Sequence, residues 1–139
     1  MKTLFDDVGD FHKKFDLPHA EDGGPPALLD EDTMNFRIDF MHEELEEFFQ
    51  ATEAGDIVKA ADALCDLVYV VLGTAHMMRL PFNECWKLVQ EANMTKVRAD
   101  NADDPRSKRG HELDVVKPEH FVSPEGAIAV LLVDRMIPK

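Results

Sequence analysis

A chain that carries two columns of carboxylates at matching distances from one Gly-Asp turn has few ways to fold. Residues 39–66 hold Glu43, Glu44 and Glu47, then Gly55-Asp56, then Asp62 and Asp66. Positions i and i+4 stand one turn apart on the same side of a helix, so Glu43 and Glu47 form one column and Asp62 and Asp66 another. Glycine suits the left-handed residue that closes a helix, and aspartate suits the cap that opens the next. Ala54-Gly55-Asp56 is therefore expected to reverse the chain between antiparallel helices. Equal distance from that turn sets Glu47 at the level of Asp62 and Glu43 at the level of Asp66. Four converging carboxylates repel one another unless they are protonated or bridged by cations. The arrangement reads as a divalent metal site.

The remaining chain sets the frame. Its 139 residues, 45% of them hydrophobic, suffice for one domain with a real core and argue against disorder. A single all-α domain of four or five helices is expected, with residues 1–98 as a helical core and 99–139 as a loop and tail ending in a short helix. The net charge of −13 argues against nucleic acid, which is bound through clustered Lys and Arg. A small phosphorylated ligand bridged by metal ions stays compatible. Met1-Lys2-Thr3-Leu4-Phe5-Asp6-Asp7 lacks the apolar run of a signal peptide, and the apolar stretch 67–75 is too short to span a bilayer. The expectation is a soluble, cytoplasmic protein with no membrane partner. Cys65 and Cys85 lie in apolar helical runs without metal-ligand spacing, which suggests reduced core thiols.

Residues 3–16 place Leu4, Phe5, Val8, Phe11 and Phe15 at helical spacing, and His12, Lys13 and Lys14 then read as a solvated last turn. Pro18, Gly23, Gly24, Pro25 and Pro26 make 17–27 a loop. From 29 to 53, Met34, Ile38, Met41, Leu45 and Phe48 recur at alternating steps of four and three, an expected packing seam. Residues 57–79 form the next helix, apolar on nearly every side from 67 to 75 and so expected in the interior, with Asp62 and Asp66 at its entrance. Pro81 opens a helix through Phe82, Cys85, Trp86 and Val89, whose face continues to Asn93 and Lys96 as possible ligand contacts. After Val97 the composition turns polar. The basic cluster 106–109 among acids reads as a solvated loop, and Ser123-Pro124-Glu125 as the start of a final helix.

Carboxylate-only clusters select hard cations such as Mg²⁺ or Mn²⁺, which prefer oxygen and exchange waters for phosphate oxygens. Two or more such ions can neutralise a polyphosphate, and an acid outside the direct ligand set can orient water as a general base. The residues alone thus point to metal-dependent phosphoryl transfer or phosphate hydrolysis.

Glu43-Glu44-x-x-Glu47, a helix turn, Asp62-Ala63-Leu64-Cys65-Asp66-Leu67-Val68-Tyr69 and then Asn93-x-x-Lys96 closely resemble the all-α nucleoside triphosphate pyrophosphohydrolases, the MazG-like and phosphoribosyl-ATP pyrophosphohydrolase-like proteins. The resemblance runs roughly from Phe11 to Lys96, with an echo at Val116-Lys117-Pro118. It implies cleavage of a nucleoside triphosphate between the α and β phosphates, giving the monophosphate and pyrophosphate. Glu44, Glu47 and Asp66 would be metal ligands, and Glu43 a further ligand or the residue that orients the attacking water. Asn93, Lys96 and Lys117 would contact sugar or phosphate groups. One departure stands out. The family's second element is Glu-x-x-Asp, but Ala63 occupies the first acidic position and Asp62 lies one residue earlier. Asp62 flanks the same helical face and can substitute. The resemblance also implies a homodimer or dimer of dimers completing a four-helix core, and a nucleotide-pool or house-cleaning role on deoxyuridine, cytidine or guanosine triphosphates.

Two rivals differ in kind. A di-iron bundle needs Glu-x-x-His on two helices; His42 follows Asp39 at that spacing, but Gly73 precedes His76. An acidic interaction module without catalysis would leave the carboxylates as a solvated surface.

Overall fold

The computed structural model describes residues 1–137 and is all-α apart from one two-stranded sheet. Its helices are α1 (Leu4–Lys14), α2 (Glu31–Glu53), α3 (Ile57–Met77), α4 (Phe82–Asn93) and α5 (Glu125–Met136). Between α4 and α5, β1 (Val97–Arg98) pairs antiparallel with β2 (Val115–Val116), Val97 opposite Val116. The chain divides into two compact units, Met1–Asn83 and Glu84–Ile137, so the boundary falls inside α4, ahead of the change in composition after Val97.

Local chemistry starts each helix of the first unit. Thr3 and Asp6 cap α1 reciprocally: Asp6 N donates to Thr3 Oγ1 and Thr3 N to Asp6 Oδ2. Asp30 accepts from Thr33 N at the start of α2. The central turn forms as its residues dictate, with Gly55 at φ 66° and Asp56 accepting from Lys59 N at 3.0 Å.

Phe5, Val8, Leu72 and Ala75 make the core between α1 and α3, with Ala20, Leu80 and Phe82 packed against it. Beside this apolar cluster lies a polar one. His12 and His76 are 2% and 3% exposed, and Arg37 and Thr74 are buried with them. His12, expected on a solvated turn, instead donates from Nδ1 to Pro18 O at 2.9 Å, because the chain reverses at Asp16 (φ 56°) and folds the loop back over α1. His76 stacks on Phe5 at 3.7 Å, accepts from Ala20 N at Nδ1 and donates from Nε2 to Phe5 O.

The packing seam of α2 also differs from the expected one. Arg37, Glu44 and Ala51 are its buried residues, with Met41 and Phe48 half-buried between them, whereas Ile38 and Leu45 are exposed. Apolar side chains ring α2, so periodicity permits either seam; α3 selects the polar one by offering the Val70 carbonyl and the Thr74 hydroxyl to Arg37. The 67–75 stretch is likewise only partly interior. Val70 and residues 72–75 are buried, but Val68, Tyr69 and Val71 are exposed, because α1 and α2 cover only part of α3 within one chain. Cys65 is exposed and Cys85 half-buried; both are free thiols rather than core ones.

The basic cluster 106–109 is a solvated loop as expected, with Arg106, Lys108 and Arg109 exposed, but its two arginines pair with acids of the same unit. Asp104 and Asp114 are buried. Arg106 donates twice to Asp104, from Nε at 3.0 Å and from Nη2 at 2.8 Å. Arg109 and Ser107 donate to Asp114. The carbonyl of Asp114 accepts from Ala99 N at 2.8 Å and extends the sheet. In α5, Glu125 N donates to Ser123 Oγ.

Candidate metal centre

Three of the five acids expected at the site converge. Ligand oxygens of Glu44, Glu47 and Asp66 all lie within 4.8 Å of one another. Glu44 and Glu47 share a face of α2 at i, i+3 spacing, and Asp66 reaches them from α3. Burial is graded across the group: Glu44 is 8% exposed, Asp66 half-buried and Glu47 exposed. Glu43 and Asp62 stand outside this tight set, both exposed, on the same two helices. Their fields still reach it. The height argument from the turn paired Glu47 with Asp62 and Glu43 with Asp66, whereas the acids that converge are Glu44, Glu47 and Asp66, because the buried stripe of α2 runs through Glu44, which turns inward while Glu43 turns outward.

The electrostatics record the crowding. Burial, then Glu47, then Asp66 and Glu43 push the Glu44 carboxyl up to about 7. Burial, then Asp62 and Glu47, raise that of Asp66. Glu44 Oε2 is buried without a hydrogen-bond partner. A buried carboxylate oxygen with nothing to bind is costly. A cation removes that cost, and an all-oxygen donor set suits a hard divalent ion. The residues therefore fit the ion that their pattern implies.

They do not fit a di-iron histidine site. Both nitrogens of His76 are engaged by backbone groups, and His42 is exposed on α2.

Asn93, Lys96 and Lys117 belong to the second unit. Asn93 is exposed at the end of α4, and its carbonyl accepts from Lys96 N at 3.1 Å. The ammonium groups of Lys96 and Lys117 lie 5.6 and 5.3 Å from the centroid of the same ring, Phe121. Sequence reasoning passed over Phe121. Its signal was weak, a single aromatic residue four positions after Lys117 in a polar stretch.

Among the described residues no helix is long and apolar enough to cross a membrane. Among curated proteins none is a match to this chain. The family model described as phosphoribosyl-ATP pyrophosphohydrolase matches residues 8–93, which contain all five acids and end at Asn93. With well over half of its length so matched, and the matched segment carrying the carboxylate cluster, the chain belongs to the phosphoribosyl-ATP pyrophosphohydrolase family, within the MazG-like pyrophosphohydrolases.

Proposed function

We propose that the protein is a Mg²⁺- or Mn²⁺-dependent enzyme that hydrolyses a nucleoside triphosphate between its α and β phosphates, releasing the monophosphate and pyrophosphate. The observation that carries this reading is the convergence of Glu44, Glu47 and Asp66 around a buried, unpartnered carboxylate oxygen. When bound, divalent ions would neutralise phosphate charge and lower the pKa of water. Glu44, Glu47 and Asp66 hold them. Asp62, adjacent to Asp66 in the field of the site, stands in for the acid missing at Ala63. Glu43, exposed beside the cluster, is our general base, free to orient a water and take its proton. Asn93, Lys96 and Lys117 bind sugar or phosphate groups of the substrate.

A second copy of the chain is the favoured partner, as a homodimer or dimer of dimers. Exposed Phe36, Ile38, Leu45 and Phe49 on α2, and Leu64, Val68 and Val71 on α3, are the residues that a four-helix core would cover.

The base and sugar divide two substrate readings. Deoxyuridine, cytidine or guanosine triphosphates would make the enzyme a guardian of nucleotide pools; the description of the family model instead favours phosphoribosyl-ATP. A panel of ribo- and deoxyribonucleoside triphosphates together with phosphoribosyl-ATP, assayed with Mg²⁺ or Mn²⁺, separates them by rate. Pyrophosphate and orthophosphate are quantified separately. Pyrophosphate is the expected primary product, and orthophosphate in its place would reject α–β cleavage. Glu47→Gln or Asp66→Asn should abolish metal-dependent turnover with the helical fold retained; undiminished turnover in either would sink the assignment. A non-catalytic acidic module would turn over nothing in the panel.

A further inference from the structure

The short sheet of the second unit brings two positive charges together. Val97 lies opposite Val116 in the antiparallel pair, so the next positions outward are Lys96 and Lys117. Side chains opposite each other across antiparallel strands share a face, with Cβ atoms about 4.5–5.5 Å apart, and like charges placed so destabilise the pair. Nothing local offsets this by charge. Among the described residues neither ammonium has a carboxylate within ion-pair distance. The two buried acids of the intervening loop, Asp104 and Asp114, are engaged by Arg106 and by Arg109 with Ser107.

What the lysines do share is Phe121. A turn in which Phe121 N donates to Pro118 O at 3.1 Å carries the ring back toward the end of the sheet. Both ammonium groups then stand within 5.6 Å of its centroid. The electron-rich face of an aromatic ring attracts a cation without neutralising it. The ring takes up none of the three N–H donors of an ammonium, which stay available for a ligand. The ring thus gathers two cations and leaves them short of an anion.

We propose that Phe121 is a positioning residue that holds Lys96 and Lys117 as one paired site for a pyrophosphate-class anion, the terminal part of a triphosphate or free pyrophosphate. This rests on the reading above that both lysines meet phosphate groups, and it adds the residue that sets their spacing.

The test uses the full chain with divalent metal chelated, so that the carboxylate cluster contributes no anion binding. Inorganic pyrophosphate is titrated calorimetrically at low and high salt. The wild-type chain should bind it saturably and more weakly at high salt. Lys96→Ala and Lys117→Ala should each weaken binding. Phe121→Leu, which keeps apolar bulk and loses the aromatic face, should weaken it on the order of fivefold. Phe121→Tyr should restore it, a rescue that bulk alone cannot give. In turnover Phe121→Leu should raise KM more than it lowers kcat.

Wild-type affinity in Phe121→Leu, alongside weakened lysine variants, would overturn the role of the ring. Pyrophosphate binding that is absent in the wild-type chain, or indifferent to both lysine substitutions, would overturn the site. Pyrophosphate binding with these dependences in a chain that hydrolyses no nucleotide supports the site and defeats the enzymatic reading instead.

Discussion

Gly73 lies against Arg37 so closely that a β-carbon on the glycine would stand 2.7 Å from the guanidinium Nη2, and 2.8 Å from His12 Nε2. Three elements meet there. Arg37 donates from Nε to Thr74 Oγ1 at 3.0 Å and from Nη2 to Val70 O at 2.9 Å, which ties α2 to α3, while His12 closes the same space from α1. A missing side chain on α3 is what lets a buried cation and a buried imidazole occupy one layer.

Gly73→Ala should therefore destabilise the protein, although alanine is the better helix former by about 0.5–1 kcal/mol. Arg37 and His12 are both held by hydrogen bonds and cannot retreat without loosening them. Overpacking of this kind costs about 1–3 kcal/mol. Gly126→Ala is the control, since nothing lies within 4 Å of its added carbon and it should be neutral or stabilising. Urea midpoints of the two variants check the contrast; a stabilised Gly73→Ala would show that the layer has room.

The imidazoles of this layer predict a pH dependence. Burial holds both His12 and His76 below the ordinary value of 6.5; Arg37 and the neighbouring histidine add to this at His12, as His19 and Lys13 do at His76, with Glu21 opposing there. A histidine whose folded pKa is depressed takes up protons first in the unfolded chain. Its contribution is complete above about pH 6.5 and is lost as pH falls through the lower folded value. For His76 the geometry gives the reason, because a proton on Nδ1 would face the Ala20 N–H that now donates to it. Glu44 and Asp66 act in the opposite sense, since their raised carboxyls favour the folded state as pH falls, that of Glu44 from about 7. The measurement belongs in the double variant Glu44→Gln, Asp66→Asn without metal, where the denaturation midpoint should fall between pH 7 and pH 5. A flat profile would mean that the imidazoles are not held neutral by the fold.

In the second unit, Asp114 organises residues 99–114 more than any sequence pattern suggested. Ser107 and Arg109 donate to its carboxylate, which holds the acid down to about 2. Asp114→Ala removes the acceptor from both and should open the loop while leaving α1 to α3 intact. Tryptic cleavage after Lys108 and Arg109 is expected to accelerate severalfold, with unchanged exchange protection in the first unit. Equal cleavage rates would assign the order of this loop to other contacts.

What was legible in the chain follows the range of the forces involved. The Gly55-Asp56 turn could be read because backbone conformation and capping depend on neighbours two or three residues away, and the structure has both features as expected. The choice of Glu44 over Glu43 as the buried acid could not be read from spacing, although the family resemblance implied Glu44, Glu47 and Asp66 as the ligands. It depends on which stripe of α2 meets α3, and that is settled by Arg37 finding the Val70 carbonyl and the Thr74 hydroxyl more than thirty positions away. His12 was misplaced for the same reason, since the Pro18 carbonyl that buries it arrives through a loop that carries no periodicity. The two-residue strands were too short to leave an alternating pattern, and the Asp-Arg pairs of their loop look in sequence like ordinary surface charges.

Glu44 provides a prediction in which one substitution changes sign with conditions. In the presence of chelator the carboxyl is a liability: it is 8% exposed, its Oε2 lacks a partner, and Glu47, Asp66 and Glu43 oppose its ionisation. Glu44→Gln removes the repulsion and keeps the shape, so the thermal midpoint of the chelated protein should rise. With Mn²⁺ or Mg²⁺ added, the order should reverse. A ligand that binds only the folded chain stabilises it in proportion to the logarithm of its concentration above Kd. The wild-type protein should therefore gain stability saturably, while Glu44→Gln, lacking one anionic ligand, gains little and loses metal-dependent turnover. Crossing melting curves are the expected result. A Glu44→Gln variant less stable than wild type in chelator, or one with an undiminished metal response, would show that Glu44 is anchored by something other than the ion its neighbours are arranged to hold.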